Sequence, residues 1–356
     1  MTTPVSYFVQ TAPYELSLSR ISLNFTDYEF QNSTQEIPSY QCISSSSFQF
    51  VLLPIIYSVV FVLSFLGNGV ALGYLLKKWQ RSPQAKIFIL NLIILDLLFT
   101  LCLPFQITYH VLGNTWIFGE IMCKISSCLF FGNIYSCTLF LTCICVDRYI
   151  AVVHPIRYLK LQRPLYRILV SAAIWLLFLF VLFFVFSKRM TNTFSDGRTA
   201  CMENFSSKSW SGRLVTINLL TSIVGFFIPF SVTLTCYALI TKRILLMAQG
   251  KQSAQHLKKK ALGTILLVIC VLTLSFLPFH VIQVLHSLAR GGVLHSFVLL
   301  HFTCGARRVM MGVASLNSCL DPLVYYFSAE DIRVELPCFC KKGIKTSSES
   351  TSNNIV

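Results

Sequence analysis

Two carboxylates sit where carboxylates are costly. Asp96 lies in the middle of the apolar stretch NLIILDLLF, and Asp321 lies within NSCLDPLVYYF. Asn133, Asn317 and Ser318 share equally apolar surroundings and add amide and hydroxyl oxygens. Acids, amides and a hydroxyl gathered in one dry place make a site for a hard cation or for a proton. The same groups suit a hydrated polar network that only holds helices together, and residue types alone leave both readings open. A further ionic cluster, Asp147-Arg148-Tyr149, closes another long apolar run in CVDRYIAVVHP. An acid beside a base can pair with it or release it to water, which is the chemistry of a two-state element.

Such ions need helices around them. Of the 356 residues, 54% are hydrophobic and 12% charged, about half the charged share of an ordinary soluble domain. Seven apolar stretches are long enough for a bilayer, which takes ~20 residues of helix: residues 50–76, 87–111, 121–153, 168–187, 214–243, 261–288 and 309–327. Lipid offers no partner to a bare peptide group, so each stretch is expected to be helical. The chain reads as an all-α membrane protein. Residues 1–49 form an extracellular segment, 50–328 a seven-transmembrane helix bundle, and 329–356 a short amphipathic eighth helix and a cytoplasmic tail. Pro104, Pro229, Pro278 and Pro322 lie inside the stretches, where a proline removes one backbone hydrogen bond and bends the helix.

Basic residues set the orientation. Most of the 29 lysines and arginines fall in one set of connections, among them Lys77, Lys86, Arg157, Arg163, Arg167, Lys258 and Lys341, whereas the first 49 residues hold only Arg20. The N-terminus is therefore expected outside, at the plasma membrane. The net charge of +15 reads as positive-inside bias and argues against a nucleic-acid partner. The sequons at Asn24, Asn32 and Asn204 fall on the same outer side. Among fourteen cysteines, a bridge from Cys123 to Cys201 would pin the loop after the fourth stretch over the bundle, and Cys42 could reach Cys304. Cys338 and Cys340, just past the last stretch, suit palmitoylation. His286, His295 and His301 read as loop or helix-end residues. No nucleophile–base pair or metal-ligand spacing stands out, so an enzyme is not expected. An ion-coupled transporter would show internal repeats, and none is found.

Gly67-Asn68, Leu92 with Asp96, Cys123, Asp147-Arg148-Tyr149, Trp175, Pro229 with Tyr237, Phe276-Leu277-Pro278-Phe279, and Asp321-Pro322 with Tyr325 together resemble the motif series of rhodopsin-like G-protein-coupled receptors. They occur in order along the helices, and the resemblance covers residues 50 to about 340. It implies that Asp147 holds Arg148 at rest and that Arg148 swings to Tyr237 and a heterotrimeric G protein on activation. Tyr149, Phe276, Pro278 and Tyr325 would join that rearrangement, and Asp147→Asn would raise basal signalling. It also implies a sodium pocket of Asp96, Asn133, Asn317, Ser318 and Asp321, with no other cofactor. Cys137 stands where relatives often have serine, and Phe276 where many have tryptophan. The hydroxyls of residues 346–352 would be read by receptor kinases and arrestin.

Within that family, the third stretch from Cys123 to Pro155, CMENF and VGFFIPF are similar to the lysophosphatidic-acid receptors of the purinoceptor-like branch. The resemblance implies an anionic extracellular ligand. A lysophospholipid such as lysophosphatidic acid leads, with a nucleotide, or a tethered peptide released at Arg20-Ile21, as alternatives. Guanidinium groups receive phosphate in a bidentate fork, and Lys124, Lys188, Arg189, Arg307 and Arg308 are the outer cations expected to bind it. Arg198 and Arg290 read as solvated loop charges. Phe130 and Phe131 offer an apolar lining for an acyl chain, and His280 and Gln283 follow the kink of the sixth stretch. Nucleotide receptors of this branch commonly carry lysine or arginine at the Gln283 position, which favours the lipid.

Overall fold

The computed structural model describes residues 49–77, 83–160, 164–187, 189–193, 197–203, 214–247, 262–263 and 265–330. Asn24, Asn32, Cys42, Lys188, Asn204, Cys338 and Cys340 lie outside these residues, as do the remainder of the N-terminal segment and the tail beyond residue 330.

Among the described residues, seven helices are long and apolar enough to cross a bilayer: Gln49–Lys77, Lys86–Val111, Gly119–Val153, Leu165–Phe183, Val215–Leu246, Ile265–Arg290 and Phe297–Tyr325. They form one bundle, and the chain is a multi-pass membrane protein. Leucines, isoleucines and phenylalanines cover the outward faces, while Phe99, Phe140, Phe226, Phe276 and Phe279 fill the centre. The last helix runs unbroken to Glu330, where the eighth helix is expected to begin.

Two boundaries differ from the sequence reading. The seventh span starts at Phe297 rather than at residue 309, with Ser296 capping it by accepting from the Leu299 amide at 3.2 Å. Arg307 and Arg308 had marked that stretch as water-facing, yet both project into the bundle. Arg167, counted with the basic connection, is inside the fourth span and only 1% exposed.

The prolines act differently from one another. Pro229 and Pro278 each follow a single wide turn, Ile223–Phe227 and Leu272–Phe276, in which the next amide reaches back five residues (Ile228 to Ile223, Leu277 to Leu272). Such turns relieve the ring's clash with the preceding turn and re-aim one helix face. Pro322 cannot donate to the Ser318 carbonyl one turn back. Asn68 of the first span takes that place, donating to the Ser318 carbonyl at 3.0 Å. Gly67 makes the approach possible, since a Cβ there would sit 2.9 Å from Pro322 Cγ, whereas Gly69 faces open space. Gly67→Val is therefore expected to cost about 1–3 kcal/mol by overpacking. Thermal unfolding in detergent should show a clear loss for Gly67→Val and none for Gly69→Val.

A bend at Leu316 divides the seventh span into Phe297–Ser315 and Asn317–Glu330, turning Asn317, Ser318 and Asp321 towards the second and third helices. Past the fourth span, strands β1 (Thr191–Thr193) and β2 (Thr199–Cys201) pair antiparallel, with Thr191 opposite Cys201. A disulfide ties Cys201 to Cys123. Glu120, one turn before Cys123, accepts from the Met190 and Thr191 amides at 2.7 and 2.9 Å. The hairpin is thus clamped to the head of the third helix.

Candidate functional site

At the Cys123 end the helices surround an open-mouthed cavity of about 930 Å³, counting the solvent space at its mouth. Its wall mixes cations with aromatic and aliphatic side chains. Arg290, Arg307 and Arg308 face Tyr57, Tyr109, Phe130, Phe131 and Met311, with His110, His286 and Glu203 between them. Arg308 donates through Nε and Nη2 to the two carboxylate oxygens of Glu203 at 2.9 and 2.7 Å, and through Nη1 to Gln49 at 3.3 Å. Burial pushes the Glu203 carboxyl up, but the charge and hydrogen bonds of Arg308 more than offset it. The group sits below the ordinary carboxylate range and stays ionised at neutral pH. Arg307, the next residue, has an Nε without a partner among the described residues.

Of the residues expected to bind ligand, Phe130, Phe131, Arg307 and Arg308 line this cavity. Lys124 instead pairs with Glu120 at 3.3 Å. Arg189 is exposed beside the hairpin. His280 and Gln283 are buried about two turns and one turn deeper than His286, with the His280 ring stacked 4.2 Å from Phe226, and neither lines the cavity. Arg290 and His286 had been read as peripheral. Both are lining residues, and His286 shares a 3.1 Å hydrogen bond with Thr303. Arg198 is bound to the Gly113 carbonyl at 2.7 Å. Glu203 was overlooked, although an acid two residues past the bridging cysteine and near several arginines was a usable signal. Cys304 is disulfide-bonded to a partner outside the described residues.

Midway through the bundle the predicted polar residues converge. Asp96 Oδ1 accepts from Asn133 at 3.0 Å and Ser318 at 2.8 Å, and its Oδ2 accepts from Tyr325 at 2.8 Å. Asn317 donates to Asp321 Oδ2 at 2.9 Å. Ligand atoms of Asp96, Cys137 and Asp321 lie within 4.8 Å of one another. Asp321 Oδ1 and Asn317 Oδ1 have no donor among the described residues. Oxygens so placed fit a small hard cation, with Asp96, Asp321, Asn317 and Ser318 as the residues that would hold it. Its charge would offset two buried carboxylates.

At the opposite end the expected Asp147–Arg148 pair is not formed. Asp147 accepts instead from Arg167 Nε at 3.1 Å and Nη2 at 2.5 Å, and from the Tyr166 hydroxyl. The reason is burial. Arg167 is enclosed and must have an anion, whereas Arg148 is half-buried at the bundle end and has no hydrogen-bond or ion-pair partner among the described residues. Tyr237 and Tyr149 pack on the Ile240, Ile244 and Ile265 cluster nearby, while Tyr325 is held inward on Asp96. Tyr149 also meets His154 at 3.2 Å. Phe276 is fully buried, two residues before Pro278.

Comparisons with known proteins agree with this architecture. The family model described as 7 transmembrane receptor (rhodopsin family) matches residues 67–325. Lysophosphatidic acid receptor 4 of Homo sapiens is 33% identical over 319 residues, 87% of this chain and 85% of that protein. Lysophosphatidic acid receptor 6 of Gallus gallus is 35% identical over 299 residues, covering 82% and 94%. The uracil nucleotide/cysteinyl leukotriene receptor of Rattus norvegicus is 34% identical over 299 residues, covering 83% and 84%. An open cavity at one end, ionic residues through the centre and a charged triplet at the other end suit a receptor rather than an enzyme or a transporter, and the chain belongs to the rhodopsin family of seven-transmembrane, G-protein-coupled receptors.

Proposed function

We propose that the chain lies in the plasma membrane with its N-terminus and Cys123 end outside, takes a lysophospholipid such as lysophosphatidic acid into the cavity, and transmits its binding to a heterotrimeric G protein at the Arg148 end. The observation that carries the ligand is Arg307. Glu203 neutralises Arg308, so Arg307 is the guanidinium left to receive an anion, beside Arg290 on the same wall. A guanidinium fork matches a phosphate monoester. Phe130, Phe131, Tyr57 and Met311 offer the acyl chain an apolar bed.

Further parts of this reading concern regulation. A sodium ion among Asp96, Asp321, Asn317 and Ser318 would favour the resting shape. Kinases and arrestin would act on residues 346–352, palmitate on Cys338 and Cys340, and glycans on Asn24, Asn32 and Asn204. A Cys42–Cys304 bridge would tie the N-terminal segment to the seventh helix.

Purified receptor in lipid nanodiscs tests the ligand. Oleoyl lysophosphatidic acid should raise the unfolding midpoint and speed guanine-nucleotide exchange on an added heterotrimer, while monooleoylglycerol, which lacks the phosphate, does neither. Stimulation by uridine triphosphate and not by the lipid would replace this reading with a nucleotide one.

A further inference from the structure

We infer that Arg167 is a positioning residue that withdraws Asp147 from Arg148, leaving the receptor partly unlocked before any ligand arrives. One carboxylate stands between two guanidiniums. Arg148 is its sequence neighbour, and Arg167 approaches from the head of the fourth helix. All three donors around Asp147 Oδ1 come from Tyr166 and Arg167. The Arg167 guanidinium lies over the Tyr166 ring at 4.6 Å and the Tyr158 ring at 5.8 Å, so the six-residue helix Pro155–Lys160 joins the clamp.

Desolvation decides the competition. Arg167 is 1% exposed, its Nη1 has no acceptor, and Asp147 is its one anion among the described residues. Losing that anion would strand a buried charge. Arg148 loses little without a partner, because water reaches the bundle end. The acid therefore serves the dry cation and leaves the wet one free. In the resting arrangement implied by the family resemblance, Asp147 restrains Arg148. Here that restraint is spent on a neighbouring helix, and Tyr325 remains the side chain held back, on Asp96.

The consequence is constitutive exchange tuned by a residue that never meets the G protein. The test uses full-length receptor in nanodiscs without ligand, with exchange measured per folded receptor on purified heterotrimers, so that its outcome is independent of the lipid reading. The parent should exceed the heterotrimer alone. Arg167→Gln frees Asp147 to capture Arg148 and should lower basal exchange about tenfold, a modest shift between two populated shapes. Adding Asp147→Asn to Arg167→Gln removes the captor and should restore exchange. A residue with a merely structural role would lower receptor amount and would not show that reversal. If Arg167→Gln fails to accumulate, Tyr166→Phe strands no charge, and losing one charge-assisted hydrogen bond should lower exchange by about tenfold. A parent no faster than the heterotrimer alone, a Tyr166→Phe or Arg167→Gln receptor as active as the parent, or a double variant as slow as Arg167→Gln would each overturn the inference.

Discussion

Arg307→Ala lowers the affinity for lysophosphatidic acid by about two orders of magnitude, and the loss depends on the phosphate. Truncating one partner of a desolvated charge pair costs about 2–5 kcal/mol, and most of that penalty falls on the phosphate left unpaired in a cavity where Arg308 already answers Glu203. Arg307→Lys keeps the charge but gives up the planar fork, so it should fall between parent and alanine. Competition binding with a labelled lipid, repeated with monooleoylglycerol, separates phosphate recognition from acyl packing. Equal affinity of parent and Arg307→Ala would remove Arg307 from the site.

Asp147→Asn is the second large effect, and its direction follows from the partner the acid has. The family resemblance implies a gain of basal signalling when the acid beside Arg148 is neutralised. With Asp147 bound to Arg167, the substitution leaves a buried guanidinium without its anion, which costs about 3–5 kcal/mol. The unfolding midpoint should drop by about 10 °C, with a matching loss of receptor from the cell surface. Combining it with Arg167→Gln removes both charges and should return most of that stability, because replacing a whole buried pair is far milder than halving it. A single variant as stable as the parent would mean that the Asp147–Arg167 pair does not hold these helices.

The spans were legible because a bilayer tolerates few solutions, and a run of apolar residues of the right length names one of them. Asp96, Asn133, Asn317, Ser318 and Asp321 were legible for the related reason that polar groups in such runs must find each other. The same logic failed where a charged residue faced inward near a helix end. Arg307 and Arg308 shortened the seventh span, and Arg167 was pooled with the basic connection, since a count of charges does not distinguish a wet arginine from one whose acid lies on the preceding helix. Glu203, Arg290 and His286 depend on how a loop and two helix ends close over the cavity, which no local pattern records. Pro229 and Pro278 announced a disturbance, but not that it would be absorbed in one widened turn.

The bond from Tyr325 to Asp96 sets a threshold on efficacy. A hydrogen bond to a buried carboxylate is worth about 1.5–3 kcal/mol, and it must be given up before that tyrosine can move towards the Arg148 end. A ligand can tilt the balance only by as much as it prefers one conformer over the other. Molecules that fill the cavity with less than roughly a ten- to hundredfold preference would occupy it as partial agonists or blockers, however tightly they hold on.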